Sequence, residues 1–131
     1  MVSAPSSWRW CPGSVAVPAL ARSATDSFLD GTPASPETRF HARLVVSELI
    51  SNAVRHGGAD LAWVELRLEA IPGSVRGSVH HPGAGFAPPA TAQSVTAQGG
   101  RGLFLVAALT SAWGITMENG TTVWFEIPLA T

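Results

Sequence analysis

Residues 47–57 read Ser47-Glu-Leu-Ile-Ser-Asn-Ala-Val-Arg-His-Gly57, and within this run Glu48, Asn52 and His56 recur at steps of four. At about 100° per residue, Val45, Val46, Leu49, Ile50, Ala53 and Val54 make one apolar arc, with Ser47, Ser51 and Arg55 opposite. Glu48 and Asn52 stand at the shoulder between the two faces. Such a shoulder either carries solvated hydrogen bonds or forms a compact set of hard oxygen donors. One of those donors can hold Mg²⁺ while the other orients or deprotonates a hydroxyl. The helix alone leaves both readings open.

The pattern around it predicts the fold. Ser35-Pro36 is a cap and first-position pair for a long helix that ends at Gly57-Gly58. An earlier helix over residues 18–31 has Pro18 in its first turn and Gly31 at its end. From Leu61 the period changes to two, with Ala62, Val64, Leu66 and Leu68 facing one way and Glu65, Arg67 and Glu69 the other. Pro72-Gly73 supplies a turn, after which Val75, Gly77, Val79 and His81 share the inward face of a second strand. Residues 84–100 are small, polar and proline-containing with no period, the composition of a lid or a disordered insert. The stretch 99–114 reads as a glycine-opened apolar helix ending at Gly114, with Leu103, Phe104, Val106 and Leu109 as core. Asn119-Gly120 then marks a hairpin, in whose last strand Thr121, Val123 and Phe125 share a face. A strand around Trp8 to Cys11 is compatible with the pattern but not demanded by it. The expected architecture is an α+β two-layer sandwich in one domain, residues 1–131, with helices on one face of a mixed, mostly antiparallel sheet.

Composition removes several function classes. With 46% hydrophobic and 13% charged residues, the 131-residue chain has the makings of one packed core. The net charge of −1 provides no broad attraction to nucleic acid or anionic lipid, so neither is an expected partner. All eight basic residues are arginine, which excludes a Walker A lysine and a Schiff base. Cys11 is the single cysteine, so neither an intramolecular disulfide nor a cysteine-rich zinc site can form. With no secretory leader pattern and no apolar run of membrane-spanning length, the expected setting is the cytoplasm.

The segments ELISNAVRHG, HPGAGFAP, GGRGLFLV and GTTVWFEI, in this order, resemble the N box, two glycine boxes and final strand of the Bergerat-fold (GHKL) ATPases. Within that superfamily the chain is most similar to the RsbW-like anti-sigma-factor serine/threonine kinases, and the likeness runs from Ser14 to Ile127. The resemblance implies ATP and Mg²⁺ as cofactors, Asn52 as the Mg²⁺ ligand and Glu48 as general base on an attacking hydroxyl. It also implies nucleotide contacts at His81, Gly83, Gly85, Gly99, Gly100, Arg101, Gly102, Leu103 and Thr121. Arg55 and His56 fall in the same box by position. The implied activity is phosphorylation of a serine on an anti-sigma-factor antagonist, coupled to capture of a sigma factor and hence to transcription regulation. A detached histidine-kinase catalytic domain keeps the fold but lacks, in this sequence, a helix pair bearing a phosphoacceptor histidine. Tryptophans exposed on a sheet edge would permit a homodimer.

At one position the pattern departs. The family carries an aspartate two residues before the first glycine of its first glycine box, and this chain has His81 there. A neutral imidazole offers one acceptor nitrogen where the carboxylate offers two oxygens. The alternative function is therefore a degenerate partner-binding module with weak or no nucleotide binding.

Overall fold

The computed structural model describes residues 4–12, 15–56, 62–82 and 101–130. Its elements run β1 (Ser6–Trp10), α1 (Val17–Leu29), α2 (Pro36–His56), β2 (Val64–Ile71), β3 (Ser74–His81), α3 (Arg101–Leu109), β4 (Ala112–Thr116) and β5 (Thr121–Pro128). The five strands form one sheet in the order β1-β2-β3-β5-β4, and all four pairings are antiparallel. The helices cover one face, giving the α+β two-layer arrangement that the patterning predicts.

Alternation decides which side chains meet. Val64, Leu66, Leu68 and Ala70 of β2 are buried, as are Val75 and Val79 of β3 and Val123, Phe125 and Ile127 of β5. Register then stacks them in rows, with Leu66 beside Val79, Val79 beside Val123 and Val75 beside Ile127. Against this surface α2 buries Val45, Val46, Leu49, Ile50 and Ala53, and α1 adds Val17, Ala21, Ala24 and Leu29. Gly77 sits between Leu68 and Phe125, where a Cβ would come within 2.8 Å of the Leu68 side chain. The Phe125 ring occupies the space that the missing side chain leaves.

The long helix is tied to the far end of the sheet. Ser35 Oγ accepts from the Thr38 amide at 3.0 Å, which caps α2 as the sequence implies. Thr38 is fully buried, and its hydroxyl donates to the Pro128 carbonyl at 2.7 Å. The Ser35 amide donates to the Leu129 carbonyl at 2.9 Å. Arg39 closes the corner with Asp30 at 2.9 Å and the Leu29 carbonyl at 3.0 Å. These bonds fix the start of α2 to the strand whose other end carries Thr121.

Four expectations change. Ala62 is exposed and precedes β2, so the strand's alternation begins at Val64. Phe104 is 57% exposed and does not belong to the core, whereas Leu103 and Val106 do. Gly114 lies within β4 and does not end a helix; α3 stops at Leu109, where the Thr110 hydroxyl donates to the Val106 carbonyl at 2.7 Å. At Gly114 a Cβ would lie 2.6 Å from Trp124 Nε1, so the position is set by an aromatic ring packed across the β4–β5 pair. Finally, all five tryptophans are half-buried and not exposed, and Trp8, Trp10 and Trp113 pack against the core.

Candidate functional site

At one end of the sheet the helical layer and the strands leave a small cavity. It is lined by Leu49, Asn52 and Ala53 of α2, Val79 and His81 of β3, Leu103 of α3, and Thr121 and Val123 of β5. The space totals about 260 Å³ including its solvent-open part, of which about 10 Å³ admits the centre of a water molecule. Seen from the chain, the cavity is where the apolar rows of β3 and β5 end in a polar pair, His81 beside Thr121.

Each polar group arrives there for a local reason. Asn52 sits on the sheet-facing side of α2 and is 5% exposed. Its Oδ1 accepts from Arg55 Nη2 at 3.0 Å, one turn further along the helix. Thr121 opens β5 directly after the turn at Asn119 and Gly120, both with positive φ, 54° and 107°. Its hydroxyl donates to Met117 Sδ at 3.6 Å. At Gly120 any Cβ would be driven into the His81 carbonyl and would lie 2.9 Å from Pro82 Cα. Close approach of backbone to backbone thus seats the turn against the end of β3.

His81 is the most unusual member. It is 2% exposed, and both ring nitrogens lack a hydrogen-bond partner among the described residues. Desolvation, and secondarily the neighbouring His80, hold its pKa below the ordinary imidazole value, so the ring is neutral near pH 7. His80 points to the other face, where its Nδ1 lies 2.6 Å from Thr122 Oγ1 and its ring tilts against Trp63. Among the described residues this buried imidazole makes no hydrogen bond and faces mostly aliphatic walls, a setting in which an added polar partner would be strongly stabilising.

The remaining expected site residues divide. Glu48 is half-buried one turn before Asn52, does not line the cavity, and has no ion-pair partner among the described residues. Leu103 lines the cavity from α3. Arg101 and Gly102 begin α3, but their side-chain positions, like that of His56, lie outside what is described. Gly83, Gly85, Gly99 and Gly100, together with the expected lid at 84–100, lie outside the described residues. Four lining residues, Leu49, Ala53, Val79 and Val123, read in sequence as plain core, and only the register that ends their rows at His81 and Thr121 marks them as walls. Among the described residues no three His, Cys, Asp or Glu side chains cluster as a self-sufficient metal site. No described helix is long and apolar enough to cross a membrane.

Comparison with known proteins agrees with this geometry. No curated protein sequence matches the chain. Among solved structures, the RsbU and RsbW domains of Rv1364c from Mycobacterium tuberculosis superpose with a TM-score of 0.73 at 22% identity, over 97% of this chain and 33% of that one. The histidine kinase domain of the Erythrobacter litoralis EL346 blue-light activated histidine kinase gives a TM-score of 0.57 at 26% identity, covering 87% and 60% of the two chains. A further structure of that kinase gives 0.57 at 29% identity, covering 73% of this chain and 32% of its own. The chain thus spans from about a third to three fifths of the length of these relatives. The family profile described as the histidine kinase-like ATPase domain matches residues 13–127, a span that contains every wall of the cavity. With the profile covering residues 13–127 and the fold shared with these solved structures, this chain belongs to the histidine kinase-like ATPase domain family.

Proposed function

We propose that the domain binds ATP with Mg²⁺ at the cavity and transfers its terminal phosphoryl group to a serine of a partner protein of the anti-sigma-factor-antagonist type, alternating this with capture of a sigma factor. The observation that carries the nucleotide half is His81: a fully buried ring whose two nitrogens have no hydrogen-bond partner among the described residues, walled by Leu49, Ala53, Val79, Leu103 and Val123. A purine supplies what that arrangement lacks, a flat apolar body with a polar edge. A purine is larger than this cavity, so its binding requires the walls to part. The RsbW-domain neighbour supports the choice of partner class.

The donor set fits a magnesium ion as a phosphate-bound cofactor and not as one held in a cage of protein ligands. Asn52 Oδ1 retains a second lone pair beside its bond from Arg55, and Mg²⁺ commonly takes one or two protein oxygens, with phosphates and water completing its shell. When bound, the ion neutralises charge on the transferring phosphoryl group. Glu48, half-buried and without a described cationic partner, accepts the proton of the serine hydroxyl as its oxygen bonds to phosphorus and the bond to the ADP oxygen breaks. Arg55 provides a cation close to the phosphates in a chain that has no lysine.

Phosphate transfer from ATP to a cognate antagonist, compared between the native chain and Glu48→Ala, tests the kinase. The expected result is transfer that Glu48→Ala abolishes while nucleotide affinity stays within about threefold. Absent transfer with intact antagonist binding removes the kinase and leaves the degenerate binding module, the reading that His81 in place of aspartate also favours.

A further inference from the structure

We propose that His81 makes this cavity a base-permissive purine site, one that accepts guanine nucleotides about as well as adenine nucleotides. The inference rests on the nucleotide-binding reading above and concerns which base is read. Adenine presents an amino donor next to a ring acceptor, and guanine presents a carbonyl acceptor next to a ring N–H. A pocket separates the two strongly only when a group of fixed polarity is left unpaired by the wrong one. A carboxylate accepts and cannot donate, so it rejects the guanine carbonyl; a guanidinium does the reverse.

No group of fixed polarity lines this cavity among the described residues. Five of its eight walls are aliphatic, and the other three are an amide, an imidazole and a hydroxyl, all able both to donate and to accept. Two of these are partly engaged, Asn52 Oδ1 by Arg55 and the Thr121 hydroxyl by Met117 Sδ. His81 has no described partner on either nitrogen. Nothing described therefore fixes its tautomer. With the proton on the nitrogen that faces the base it donates to a guanine carbonyl; with the proton on the other nitrogen, the one facing the base accepts from an adenine amino group. The base chooses the tautomer, and the energetic basis for discrimination disappears.

Calorimetric titration of the intact chain with ATP and with GTP, each with Mg²⁺, tests this without any substitution. The expected dissociation constants lie within about tenfold of each other, a difference below about 1.4 kcal/mol. A preference above tenfold for either base overturns the proposal while leaving nucleotide binding established. No binding of either at millimolar concentration overturns the nucleotide reading itself, and this inference with it. His81→Asp, which installs a fixed acceptor, is expected to tighten ATP and weaken GTP so that the ratio exceeds tenfold. Should that variant fail to fold, His81→Asn keeps a two-way group and is expected to leave the ratio within tenfold; a strong base preference in His81→Asn overturns the tautomer argument.

Discussion

His81 on β3 and Thr121 on β5 are register partners, and they form the only polar rung on an inward face whose other β3–β5 rungs are Val79 with Val123, Gly77 with Phe125 and Val75 with Ile127. A sheet built for stability alone would continue the apolar row. Among the described residues the polar rung leaves a buried imidazole without a partner, and burial of an unpaired polar group costs about 1–3 kcal/mol. His81→Leu is accordingly expected to raise stability by about 1 kcal/mol in urea unfolding while weakening purine binding at least tenfold. A destabilised variant would mean that the ring has partners in the folded protein.

Stability should also depend on pH through the same ring. The folded-state pKa of His81 is lowered, first by desolvation and then by His80, so protonation favours the unfolded chain. The contribution is fully present above the ordinary imidazole value, about 6.5, and is lost as pH falls below it towards the folded pKa. The charged or titratable group described as acting on it is His80 on β3, and the walls that α2, α3 and β5 turn towards it, Leu49, Asn52, Ala53, Leu103, Thr121 and Val123, carry no titratable side chain. Urea midpoints measured from pH 8 to pH 5 should fall more steeply in the native chain than in His81→Leu, and parallel curves would assign the slope to other groups.

Asn52 and Glu48 should separate by kinetics. Asn52→Ala is expected to reduce the gain in nucleotide affinity that Mg²⁺ gives by tenfold or more, whereas Glu48→Ala should spare affinity and lower turnover by a factor of about 10²–10⁴. Equal loss of affinity in both variants would show that the two residues act only through packing.

Gly77→Ala tests the core beside the site. The new Cβ would press on Phe125 and Leu68, and overpacking of this kind costs about 1–3 kcal/mol. Thermal unfolding should register the loss, and unchanged stability would mean that the Phe125 ring can move aside freely.

Ser35→Ala removes the oxygen that accepts from the Thr38 amide and is expected to cost about 1 kcal/mol. The loss should appear in urea unfolding with little change in ligand affinity, because the cap lies at the end of α2 opposite Asn52.

Much of this was legible in the sequence for physical reasons that operate locally. The Ser35-Pro36 cap, the alternation from Val64 to Leu68 and the Asn119-Gly120 turn each depend on a few neighbouring residues, and each appears where expected. Gly114 misled because a glycine after an apolar run signals a helix end, while the actual constraint is the Trp124 ring, ten residues downstream in sequence and adjacent only through pairing. Phe104 misled because hydrophobicity states what a side chain prefers, not which face of a nine-residue helix the fold will cover. The inward phase of His81 could be counted from Val75, but the lack of a described partner for its two nitrogens could not, since it depends on what Leu49, Ala53 and Val123 fail to offer. Leu49, Ala53, Val79 and Val123 showed no sign of a site because their chemistry is that of any core; only their position beside the polar rung distinguishes them.

The seating of Gly120 against the end of β3 links two parts of the molecule that chemistry alone would not connect. Because the His81 carbonyl leaves no space for a side chain at residue 120, the tip of the last hairpin acts as a gauge that sets where the imidazole hangs. Any residue larger than glycine there would pry the two strands apart beside His81, so a change in a turn far along the chain would register as a change in the shape of the cavity.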